Sequence, residues 1–73
     1  MRLGSLVRIS EHNDNEGYSD WRERKLKIIH VAKNRSEHPG YDEGVGGLLF
    51  DLRDAKTGEV CPFSLYEYEL EEA

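Results

Sequence analysis

Apolar and polar positions alternate along this chain in short bursts, and clusters of Gly, Pro, Asn and Asp separate the bursts. A period of two between turn-forming clusters marks a strand with one buried face, so four segments read as strands. In residues 2–10 (RLGSLVRIS), Val7 and Ile9 point one way and Leu6 and Arg8 the other. Residues 25–33 (KLKIIHVAK) begin with Leu26 and Ile28 in phase, then slip so that Ile29 and Val31 are the apolar positions. Such a slip predicts a β-bulge or strong bend, the device by which a strand serves two sides of a small barrel. Residues 47–54 (GLLFDLRD) set Leu48, Phe50 and Leu52 opposite Leu49, Asp51 and Arg53. Residues 59–66 (EVCPFSLY) follow the turn DAKTGE, where Gly58 supplies the positive φ of a short hairpin loop, so strands three and four should pair antiparallel. Pro62 lacks an amide proton and belongs at an edge or bulge.

The C-terminal stretch SLYEYELEEA tolerates helix, but it is too short for a stable one. A single 3-10 or α turn at 65–69 leading into a last strand at 70–72 fits it better. Residues 11–24 and 34–46 read as loops. Five short strands in meander order with one late turn predict a mainly β fold, a five-stranded SH3-like barrel. Residues 4–10 (GSLVRIS) and 63–71 (FSLYEYELE) also resemble the opening and closing strands of small SH3-like barrel proteins. Within that group the likeness is to KOW-type modules and to short accessory subunits of cyanobacterial photosynthetic complexes. The resemblance covers about a quarter of the chain and implies a fold rather than an activity.

The sequence has 73 residues, which makes residues 1–73 a single domain, since a chain of this size buries only about 60% of its unfolded surface. One cysteine, Cys61, excludes an internal disulfide, so packing must hold the fold; that suits a reducing, cytoplasmic setting. No apolar run is long enough for a membrane helix, so no membrane insertion is expected. The formal charge of −5 is uneven: eight Lys/Arg face five acids in residues 1–35, and two face ten in residues 36–73. If the fold keeps these halves apart, an acidic C-terminal face would repel nucleic acid and attract a basic protein surface.

Ser-Glu-His occurs twice, at 10–12 and 36–38, each time followed by Gly, Tyr and further acids. His12, Asp14, Glu16, His38, Asp42 and Glu43 are ligand types suited to zinc or manganese. However, the two loops leave opposite ends of strand two, roughly 25–30 Å apart for nine residues. Neither loop alone has a metal-binding spacing, and Asn, Asp, Gly and Pro there are turn formers. No cofactor, metal or catalytic residue is therefore assigned. Cys61, without a neighbouring histidine in sequence, reads as a small buried side chain rather than a nucleophile.

The loops are long and carry aromatic residues, which are enriched at interfaces. The sequence thus predicts a non-catalytic protein-interaction or accessory-subunit module. Its partner-binding residues would be Tyr18, Trp21, Tyr41, Tyr66, Glu67, Tyr68 and Glu69, with Tyr18 and Tyr41 at the surface. The alternative is nucleic-acid association through the basic segment 21–27 (WRERKLK), where Trp21 adjoins Arg22, Arg24, Lys25 and Lys27. The net negative charge argues against that alternative.

Overall fold

The computed structural model describes all 73 residues as one antiparallel sheet of five strands. The elements in order are β1 (Leu6–Ile9), the 3-10 helix η1 (Glu16–Trp21), β2 (Leu26–Ala32), β3 (Leu49–Asp54), β4 (Leu65–Tyr66), the 3-10 turn η2 (Glu67–Glu69) and β5 (Leu70–Glu72). Across the sheet the order is β4-β3-β2-β1-β5. The two edge strands, β4 and β5, are thus consecutive in the chain and joined only by η2. Three linking residues span little more than ~10 Å, so the sheet must curl until its edges approach. No ladder joins β4 to β5, and the edges meet through the turn alone.

The core follows from alternation. Val7 and Ile9 of β1, Leu26 and Ile28 of β2, Phe50 and Leu52 of β3, Leu65 and Leu70 all point inward with Trp21 and Cys61. Burying each of the larger apolar side chains contributes about 1.5–3 kcal/mol. Strand β2 keeps its register with β3 through Ile28↔Leu52, then shifts so that His30 pairs with Asp51. Ile29 is the bulged residue, where the apolar phase slips in the sequence. Beyond the bulge a second small cluster forms from Ala32, Leu49 and Tyr41 on the other side of the sheet. That is why Leu49, expected opposite Phe50 and outward, is also buried.

Two expectations are corrected. The segment 11–24 is not a plain loop, because its middle winds into the six residues of η1. Asn13 and Asn15 start it: the Asn13 side chain accepts the Asn15 amide at 3.2 Å, and the Asn15 side chain accepts the Gly17 amide at 2.8 Å. The fourth strand, expected over 59–66, survives only as a bridge between Arg53 and Val60 and as the two residues of β4. Between them Pro62 and Phe63 turn the chain, so that Phe63 reaches the core from outside the sheet.

The hairpin from β3 is closed by Asp54, whose Oδ1 accepts the amides of Lys56 at 2.7 Å and Thr57 at 3.0 Å. Gly58, at φ 80°, then donates its amide to the Asp54 carbonyl. The left-handed backbone there needs glycine.

Candidate interaction surfaces

In a 3-10 helix residues three apart eclipse one another, so Tyr18 and Trp21 share one face of η1. Both meet Phe63: Tyr18 stacks on it with centroids 4.4 Å apart, and Trp21 meets it edge-on at 6.2 Å. Trp21 is only 5% exposed, and the Arg24 guanidinium lies over its ring, 4.0 Å from the centroid. Arg24 in turn binds Glu59 at 2.8 Å and Asp54 at 3.4 Å. The basic-aromatic segment is therefore consumed internally. Trp21 offers no face for a base to stack on, and of the cations within residues 21–27 only Lys25 and Lys27 stand exposed.

The second loop is placed by Tyr41, which is 3% exposed and donates its hydroxyl to the Gly47 carbonyl at 2.5 Å. Burial pushes the Tyr41 phenol above its ordinary pKa. The expectation that Tyr41 lies at the surface is thus corrected: it packs on Ala32 and Leu49 beyond the bulge. Tyr18 is also drawn inward, half-buried against Phe63, and burial together with the adjacent Glu69 charge raises its pKa. Glu69 is itself engaged. One carboxylate oxygen accepts the Tyr66 amide at 3.0 Å, and the other accepts the Asn13 side-chain amide at 3.2 Å and the Tyr18 hydroxyl at 3.4 Å.

What remains outward at the C-terminal turn is Tyr68, 72% exposed, and Glu67. Tyr68 stacks at 6.0 Å on Tyr66, which meets Tyr41 edge-on at 5.8 Å, so an exposed ring is backed by a half-buried and a buried one. The Tyr66 hydroxyl accepts the Asp42 amide at 2.7 Å, fixing that ring from the second loop. Beside Tyr68 lies an open cleft of about 330 Å³ lined by Ser10, His12, Asn13, Asp14, Tyr68 and Glu69. It brings the first Ser-Glu-His stretch against η2, held by the Ser10 amide donating to the Glu69 carbonyl at 2.9 Å.

The second Ser-Glu-His stretch has different neighbours. His38 Nε2 lies 3.1 Å from Asp51 Oδ1 and 3.0 Å from Ser64 Oγ, while Ser64 donates its hydroxyl to Asp51. No local pattern signals this trio, because Asp51 and Ser64 are 13 and 26 residues from His38 and meet it only through the fold. A serine, a histidine and an aspartate in contact invite comparison with a nucleophile and its base, but the wiring differs. His38 Nδ1 accepts the Gly40 amide at 2.9 Å, so in the neutral ring Nε2 carries the proton and has no lone pair for the Ser64 hydroxyl. The cluster therefore ties the second loop to β3 without supplying a general base. His12 and His38 share no partner, and no group of three or more His, Cys, Asp or Glu side chains is arranged to hold a metal ion.

Cys61 is 7% exposed, and burial raises its thiol pKa, which keeps it in the unreactive protonated form. Nor are the two charge halves separated. Arg8 of β1 binds Glu71 of β5 at 2.8 Å, and Arg24 binds Asp54 and Glu59, so cations of the first half neutralise acids of the second.

The chain was compared with protein-family models, curated proteins and solved structures. None of them matches it. No helix is long and apolar enough to cross a membrane.

Proposed function

We propose that this domain is a non-catalytic protein-interaction module that docks onto a basic surface of a larger assembly through its C-terminal 3-10 turn. The observation that carries this reading is Tyr68, the most exposed of the large apolar side chains. Its ring stacks on Tyr66 and borders a cleft whose charged groups include Asp14 and Glu69. A preordered aromatic ring costs little entropy on binding, and beside carboxylates it suits a Lys or Arg side chain through cation–π and ionic contact. The long first loop, bonded to η2 through Glu69, supplies the cleft's other wall. The likeness of both chain ends to small SH3-like barrels supports a compact binding scaffold and names no partner. A cytoplasmic setting belongs to the same reading and rests on the single, buried cysteine.

An arginine-rich peptide titrated into isotopically labelled protein tests it. Amide shifts at Tyr68, Asp14 and Glu69 that vanish in Tyr68→Ala support the reading. Absence of shifts there at low salt, with a folded spectrum, refutes it.

A further inference from the structure

The outer face of the sheet carries a row that its own folding does not explain. Leu6 on β1 pairs with Lys27 on β2, Lys27 pairs with Arg53 on β3, and Arg53 bridges to Val60. Directly opposed residues of antiparallel strands project to the same side, so these four form one line across the sheet. All four are exposed, Leu6 at 42% and Val60 at 55%, whereas their strand neighbours Val7, Leu26, Leu52 and Cys61 face the core.

Lys27 and Arg53 are like charges placed directly opposite, an arrangement that destabilises a sheet. Neither has a carboxylate within ion-pairing distance, although Arg8 and Arg24 in the same sheet are paired. Two unneutralised cations bracketed by two exposed aliphatic side chains are a cost to the isolated domain, and an anionic partner with apolar flanks removes both parts of it.

We propose that this row, Leu6–Lys27–Arg53–Val60, binds an extended acidic segment of a partner protein. The segment would lie across the strands, and the face it turns to the sheet would carry one carboxylate between two apolar residues, since side chains of an extended chain share a face only every second residue. Three inter-strand steps of ~4.8 Å make the row about 14 Å long, the span of four to five extended residues at ~3.3 Å each. Leu6 and Val60 receive the apolar ends, and the central carboxylate falls between Lys27 and Arg53 and is shared by them. A nucleic-acid backbone fits less well, since the row offers no aromatic ring for a base and the protein carries a net charge of −5. This surface is separate from the Tyr68 cleft. Leu6 opens β1 and Ser10 follows its last residue, about 13 Å further along the chain.

The experiment titrates labelled protein with the capped peptide Leu-Ser-Glu-Ser-Val, its lysine counterpart Leu-Ser-Lys-Ser-Val and a short oligouridylate. The acidic peptide is expected to move the amides of residues 6, 27, 53 and 60, with the effect falling as salt rises from about 20 to 300 mM. The double variant Lys27→Thr/Arg53→Thr, with its dispersed spectrum retained, should bind roughly tenfold more weakly, while Tyr68→Ala binds normally. Three outcomes overturn the proposal: no shift with the acidic peptide, equal shifts with the lysine peptide, or shifts with the oligouridylate alone. Concentration-dependent shifts at these amides without any ligand also overturn it, by assigning the row to self-association. Because Tyr68→Ala separates the two surfaces, failure here leaves the basic-partner reading standing, and the converse holds.

Discussion

The Arg24 guanidinium lies 4.0 Å from the centroid of Trp21 and uses one nitrogen to reach both Asp54 and Glu59. This contact fastens η1 to the β3 hairpin. The same Asp54 carboxylate accepts the Thr57 and Lys56 amides, and those bonds, with Arg24 adding to them, hold its pKa below the ordinary value. Glu71 is lowered as well, first by its hydrogen bond to Arg8 and then by the Glu11 amide. A carboxylate whose pKa is lower folded than unfolded contributes stability that is full above the unfolded value and is lost as pH falls through the folded one. Melting temperature should therefore rise from about pH 2 to a plateau above about pH 5. In Asp54→Asn the gap to the parent should be widest on that plateau and shrink towards pH 2. A gap constant across the range would mean that Asp54 acts through packing alone.

Phe63 connects η1 to the core, stacked on Tyr18 and edge-on to Trp21. Phe63→Ala leaves both rings facing a hole. A loss of about 2–4 kcal/mol is expected, somewhat below that of a fully buried Phe because Phe63 is half-buried. Denaturant midpoints with an unchanged slope would register it, and Trp21 fluorescence should shift towards that of a hydrated indole.

How far the sequence foretold this depends on the range of the interaction. Alternation located the centres of β1, β2 and β3, and the phase slip at Ile29 marked the bulge that the register confirms. Gly58 marked its turn, and residues 70–72 form the last strand as expected. The failures share a cause. Trp21 and Tyr41 sit among turn formers, where no period signals a buried face, and each is drawn inward by a partner far along the chain: Phe63 for Trp21, Leu49 for Tyr41. Residues 59–66 alternate well enough for a strand, yet the turn at Pro62 and Phe63 leaves most of them outside the ladder. The His38–Asp51–Ser64 cluster depends on three separate segments and left no local trace. Of the expected binding residues, Glu67 and Tyr68 are left exposed.

The wiring of that cluster gives a chemical prediction. Ser64 donates to Asp51, and His38 Nδ1 is occupied by the Gly40 amide, so Ser64 has no imidazole base and only a weakly basic carboxylate beside it. A fluorophosphonate probe should leave Ser64 unlabelled, and mass spectrometry of the treated protein would show this. The histidine should instead report a structural role. A Cβ on Gly40 would lie 3.1 Å from His38 Cε1, so Gly40→Ala should displace the ring and shift the His38 and Asp51 resonances together. Labelling of Ser64 would overturn the assignment of the His38 tautomer.

The opposed pair Lys27 and Arg53 yields a prediction about stability that needs no partner. Removing one of two like charges directly across a ladder relieves repulsion, and a β-branched residue fits an exposed strand position better than lysine. Lys27→Thr should therefore stabilise the isolated domain by about 0.2–1 kcal/mol at low salt. The gain should shrink in high salt, where screening already weakens the repulsion, leaving only the part due to strand preference. Arg8→Thr on β1 is the control, since it removes a cation that is bonded to Glu71 rather than opposed by another, and it should not stabilise. Paired denaturation curves at two ionic strengths separate the cases. Should Lys27→Thr destabilise the domain at low salt, Lys27 would have a favourable neighbour in the fold, and the unneutralised row across β1, β2 and β3 would lose its basis.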